Sequence, residues 1–160
     1  MEHISITSSF TVYHSLDELP VDVYELMQKA VEARKKAYAP YSKFRVGAAV
    51  LLDNGITVQG SNQENAAFPS GLCAERVAIF HAGAAYPGIK INKMAITAAA
   101  DEKETTSPIP PCGACRQSIA EYEMKQQGPI EIWFMGSTGK IYCSASLQNL
   151  LPLVFDSSYL

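Results

Sequence analysis

The chain has 160 residues, 48% of them apolar and 18% charged, which suits a soluble globular protein with one substantial core and excludes a disordered chain. Thirteen basic against sixteen acidic residues leave a net charge of −3, with no basic stripe of the kind a nucleic-acid polymer needs. No stretch approaches the roughly 18 apolar residues of a membrane span, and Met1-Glu2-His3 opens without a positive leader or an apolar run, so a cytoplasmic protein without membrane partners is expected.

In chain order, Phe10 to His14 can form a short strand, and Ser15 to Pro20 reads as a turn into a helix. From Val21 to Tyr38 the apolar residues Val23, Leu26, Met27, Ala30, Val31, Ala33 and Ala37 recur at helical spacing, and Ala39-Pro40 ends the helix. Phe44 to Leu52 and Ile56 to Gly60 flank Asp53-Asn54-Gly55 and read as an antiparallel hairpin with a tight Asn-Gly turn. After a loop from Ser61 to Gly71, Leu72 to Ala82 is an alanine-rich buried helix with Cys73 and Glu75 at its start. Lys93 to Ala100 is a strand and Asp101 to Pro110 a polar loop. Pro111 to about Met124 is a helix with proline in its first turn. Strands at Ile130–Met135 and Lys140–Cys143 precede a last helix over Ser144–Leu151. Strands interleaved with helices predict a single α/β layered domain over 1–160, with the role of residues 1–20 open.

The chemistry rests on cysteine spacing. Four cysteines in a chain without an export signal are read as thiols, metal ligands or redox groups before a disulfide framework. Cys112-Gly113-Ala114-Cys115 puts two sulfurs three positions apart at a helix start, where free amides favour thiolates and a soft dication such as zinc. A bare C-x-x-C is shared with thioredoxin-like redox pairs and structural zinc modules, and by itself divides evenly between them. Cys73-Ala74-Glu75 upstream and Pro111 before Cys112 complete the C-x-E and P-C-x-x-C pair of zinc deaminases.

Together, Cys73-Ala74-Glu75-Arg76 and Pro111-Cys112-Gly113-Ala114-Cys115-Arg116-Gln117 resemble the two halves of the cytidine deaminase family motif. Phe44-Arg45-Val46-Gly47-Ala48-Ala49, Asn62-Gln63-Glu64-Asn65-Ala66 and Leu150-Leu151-Pro152 resemble further segments of that family in the same order, so the likeness spans about Tyr38 to Phe155. The resemblance implies a three-layer α/β/α domain with a central mixed sheet. It also implies one zinc ion per chain on Cys73, Cys112 and Cys115, with Glu75 as proton shuttle and Arg76 offsetting the charge of three thiolates. Asn62 and Glu64 would bind the ribose hydroxyls, Phe44 and the Ala74 backbone would meet the base, and Phe155 would pack over the base in a neighbouring subunit's site. The implied activity is hydrolysis of cytidine and 2′-deoxycytidine in pyrimidine salvage by a homotetramer acting on a small-molecule nucleoside.

Plainer readings stand beside these. Phe44 also suits a core strand, and Asn62 and Glu64 also suit a solvated turn. Cys143 and His81 read as structural. Deamination of another cytosine-containing nucleoside or antibiotic, and a non-catalytic zinc or redox C-x-x-C protein, are the competing functions.

Overall fold

In a computed structural model describing residues 1–160, a six-stranded sheet runs through the molecule. Its strands are β1 (Thr11–Tyr13), β2 (Phe44–Leu52), β3 (Thr57–Ser61), β4 (Ile91–Ala100), β5 (Glu131–Met135) and β6 (Ile141–Ser144), in the order β1-β6-β5-β4-β2-β3. Three helices accompany them, α1 (Val21–Lys35), α2 (Ala74–Ala85) and α3 (Gly113–Gln126). Only β4 and β5 pair in parallel, and every other neighbouring pair is antiparallel.

Alternation along the strands separates two cores. Ala48, Val50 and Leu52 of β2, Met94 and Ile96 of β4, and Ile132 and Phe134 of β5 face α2 and α3, meeting Ala74, Ala78, Ile79, Ile119 and Ala120. Their neighbours Ala49, Ala95, Trp133 and Met135 face the other way onto Val23, Leu26, Met27 and Ala30 of α1. The result is the α/β/α sandwich expected, with α1 alone on one face.

This topology positions the site. Both β3 and β4 run antiparallel to β2, so they are parallel to each other, and each leads from its carboxyl end toward a helix packed on the same face. The starts of α2 and α3 therefore meet beside the carboxyl ends of parallel strands, where open α/β sheets form their crevice.

Several boundaries differ from expectation. Helix α1 stops at Lys35 instead of Tyr38, because the Tyr38 backbone is drawn to the other strand-loop: its N–H donates to the Asn62 carbonyl at 3.0 Å and its carbonyl accepts from Glu64 N–H at 2.9 Å. The hairpin turn has three residues, Asp53 to Gly55, and only Gly55 has a positive φ (+82°), as in a type I turn closed by a left-handed glycine. Pro111 lies outside α3, whose cap is Cys112. The expected last helix shrinks to a 3₁₀ turn over Leu147–Asn149. There the Glu123 carboxylate accepts from Leu147 N–H at 2.8 Å and the Ser146 hydroxyl from Gln148 N–H at 2.9 Å, supplying the acceptors a longer helix would provide.

The expected first strand does form, as β1 against β6. Tyr13 packs on Trp133 with ring centroids 5.2 Å apart, and Phe10 on Phe134 at 6.3 Å, so the N-terminal segment grips both faces of the sheet edge.

Candidate active site

Cys73 caps α2 and Cys112 caps α3, yet neither side chain makes a capping hydrogen bond. Helix caps ordinarily spend a side-chain oxygen on the free amides. Here that place is held by sulfurs left free for another partner. Cys115, fully buried on the first turn of α3, completes the group.

The three sulfurs all lie within 4.8 Å of one another, with Cys73 Sγ 3.9 Å from Cys112 Sγ and Cys112 Sγ 3.5 Å from Cys115 Sγ. Bonds of about 2.3 Å to a tetrahedral zinc would separate its sulfur ligands by about 3.8 Å, so the triangle has the size of one face of such a site and leaves a fourth corner. The charges agree. A hydrogen bond from the Cys115 thiol, aided by Arg76, holds the Cys73 thiol down at about 5 against the opposing effect of burial. Cys115, sharing its proton with Cys73 and buried beside Glu75, is pushed well above the usual thiol range. One sulfur thus readily carries negative charge, while another keeps a proton that a soft cation could replace. Arg76 Nε is buried without a hydrogen-bond partner beside these sulfurs, as suits a donor whose acceptors become full thiolates only when a metal is held.

Glu75 follows Cys73 by two positions and is only 4% exposed. Burial, reinforced by the charge on Cys73, pushes its carboxyl up to about 7. Glu75, Cys73, Cys112 and Arg76 line a cavity of about 660 Å³, large enough for a nucleoside-sized ligand. Val46, Phe44 and Ile96 give it apolar sheet walls.

Asn62 and Glu64 line the same cavity, and each also holds the backbone. The Asn62 amide donates to the Phe44 carbonyl at 3.0 Å and accepts from Val46 N–H at 2.8 Å, which extends the β2–β3 pairing through a side chain. One amide N–H remains free of these bonds. Glu64 accepts from Tyr41 N–H at 2.9 Å and Ser42 N–H at 3.2 Å, and hydrogen bonding led by Ser42 holds it below the ordinary carboxylate range.

The structure thus brings Phe44, Asn62, Glu64, Cys73, Glu75, Arg76 and Cys112 around one cavity, with Cys115 behind it. Ala74 is fully buried in the first turn of α2 and is not part of the cavity wall. Phe155 stays away from its own chain's cavity, 60% exposed and stacked on Tyr159 at 5.7 Å. Cys143, half-buried in β6, and His81, exposed on α2, lie apart from the metal group.

Sequence reasoning passed over Tyr41, Phe68, Leu72, Ile109 and Pro110 at the cavity. Tyr41 and Phe68 meet edge to face at 5.9 Å, and both are exposed. Their signal was faint, since aromatic residues in proline-bearing loops rarely declare a pocket.

Residues 21–127 match the family described as the cytidine and deoxycytidylate deaminase zinc-binding region. A cytidine deaminase of Sporosarcina psychrophila is 40% identical over 142 residues, covering 87% of this chain and 97% of that protein. One of Halalkalibacterium halodurans is 46% identical over 101 residues, 63% of this chain and 72% of the relative. The crystal structure of cytidine deaminase from Burkholderia pseudomallei superposes with a TM-score of 0.72 at 40% identity, covering 82% of this chain and 98% of that one. Fold and site define a zinc-binding protein of the α/β deaminase type. The chain belongs to the cytidine and deoxycytidylate deaminase family.

Proposed function

We propose that this protein hydrolyses cytidine and 2′-deoxycytidine to uridine and 2′-deoxyuridine, releasing ammonia. The observation that carries the reading is the buried Glu75 carboxyl sharing one cavity with a three-sulfur group of metal-site dimensions. Cytidine deaminases related to this chain over most of its length support the choice of substrate.

When bound to the sulfurs, zinc acts as a Lewis acid and makes water a competent nucleophile near neutral pH. The chain supplies the rest. Glu75 takes a proton from water and passes it to N3 of the cytosine ring as the new bond to C4 forms. It then takes the proton of the new C4 hydroxyl and hands it to the amine, which leaves as ammonia as the C4–N bond breaks and the C4 carbonyl forms. The one carboxyl thus acts twice and ends as it began. Arg76 and the two helix starts offset the negative charge gathered on three sulfurs. Phe44 walls the base, and Asn62 and Glu64 receive the ribose hydroxyls, whereas Ala74 lies outside the cavity wall. An ionised carboxylate and a spare amide N–H match a sugar edge that both donates and accepts.

Purified protein should carry one zinc per chain and convert cytidine to uridine, and Glu75→Gln should abolish turnover with the zinc retained. Turnover persisting in that variant would remove Glu75 from the mechanism. Rates on free cytosine should fall far below those on cytidine, since a site built to bond hydroxyls rejects analogues lacking them.

The assembly we propose is a homotetramer in which Phe155 closes over the base in a neighbour's site. The exposure of Leu153 (78%), Phe155 (60%) and Phe68 (75%) supports burial between subunits. The reduced thiols a metal site requires suit the cytoplasm, and the reaction suits pyrimidine salvage.

A further inference from the structure

A second cleft, of about 560 Å³, opens between the N-terminal segment, the loop leading into α3 and the chain after β6. Part of its lining is aromatic: Phe10, Phe134 and Tyr142 form a cluster with ring centroids 5.8 to 6.3 Å apart. The polar part holds one charge, Arg116, and no aspartate or glutamate.

Arg116 is half-buried and bound only to neutral groups. Its Nε donates to the Pro111 carbonyl and its Nη1 to the Leu150 carbonyl, both at 2.8 Å. Nη2 donates to no protein atom, is not buried from solvent, and no carboxylate pairs with the guanidinium. The planar guanidinium fork matches a carboxylate or a phosphate. Two carbonyls fix the orientation of Arg116 and leave its charge uncompensated toward the cleft.

We propose that this cleft binds a small organic anion, whose phosphate or carboxylate meets Arg116 Nη2 while a flat body rests against Phe10, Phe134 and Tyr142. Ser8 and Ser107 also line the cleft and add hydroxyl donors. The N-terminal wall lies outside residues 21–127, which the family match covers. Pro110 lines both this cleft and the candidate active-site cavity and stands two residues before Cys112, so an occupant touches the support of the metal site.

The test is calorimetric titration of the zinc-loaded full chain with phenyl phosphate and, separately, benzoate, in excess uridine to keep the nucleoside cavity filled. At least one anion should bind saturably at one per chain, and which one does so separates phosphate esters from carboxylates. Ser8→Asp, an exposed change that adds a carboxylate to the cleft lining and touches neither carbonyl that holds Arg116, should weaken that binding by about tenfold or more. Benzyl alcohol should not bind saturably. Absence of saturation with both anions, displacement by uridine, unchanged affinity in Ser8→Asp, or equal binding of benzyl alcohol would each overturn the proposal.

Discussion

Glu75 and Glu64 are carboxyls of one cavity whose surroundings push them in opposite directions. Burial lifts Glu75 to about 7, and hydrogen bonds led by Ser42 keep Glu64 low, so near neutral pH one can exchange a proton while the other stays ionised. Glu64→Gln keeps an oxygen for Tyr41 and Ser42 but loses the charge, and steady-state kinetics should show KM for cytidine raised by about tenfold or more with a smaller change in kcat. An unchanged KM would separate Glu64 from the ribose. Asn62 is a double agent, as its amide ties Phe44 and Val46 in place. Asn62→Ala should therefore cost stability as well as affinity, by about 1–3 kcal/mol in denaturant titration.

At the level of elements, two glycines report on the two helical layers separately. A Cβ at Gly60 would collide with the backbone of Ala74 and Ala78, and one at Gly47 with that of Ala30 and Arg34. Each strand thus lets a helix lie directly upon it, α2 on β3 and α1 on β2. Gly60→Ala and Gly47→Ala should both destabilise the fold through overpacking, by about 1–3 kcal/mol or more, and so lower the melting temperature. Only Gly60→Ala should also loosen zinc in a chelator competition, because α2 carries Cys73 and Glu75 whereas α1 carries no ligand. Equal zinc affinity in the two variants would show that the placement of α2 does not govern the site. Another element-level contact, Arg45 Nε to Asp101 Oδ1 at 2.7 Å, ties the start of β2 to the end of β4. The guanidinium holds Asp101 below its ordinary value of 3.8. The pair's contribution is therefore complete above that value and lost as pH falls through the lowered one. Arg45→Gln should lower the neutral plateau slightly, since the pair is exposed, and flatten the fall in stability through that acid window.

For the whole molecule, the proposed tetramer makes Phe155 a residue of another chain's site. Phe155→Ala should retain zinc and raise KM for cytidine, and light scattering of the unaltered protein should give the mass of four chains. A monomer with full activity would sink both statements. The N-terminal segment matters at this scale too. β1 covers the edge of β6 that would otherwise offer unpaired backbone groups, a common hazard of open sheets.

Much of the fold was legible in the residues. The Asp53-Asn54-Gly55 turn signal gave the strand Phe44–Leu52 to the residue, and helical spacing placed the start of α1 at Val21. Cys73, Cys112 and Cys115 were legible as one group through the resemblance carried by the C-x-E and P-C-x-x-C segments, and the structure brings their sulfurs together beside the cavity that Glu75 lines. Local pattern failed where a distant partner competed: Tyr38 left α1 to pair with the Asn62–Glu64 loop, and Glu123 supplied an acceptor that a last helix would have provided. Spacing names the sulfurs, but only the packing of α2 and α3 on one face of parallel strands sets them within 4.8 Å and buries Glu75. The same packing left Arg116 facing a cleft without a counter-charge, because distances and desolvation arise between segments far apart in the chain.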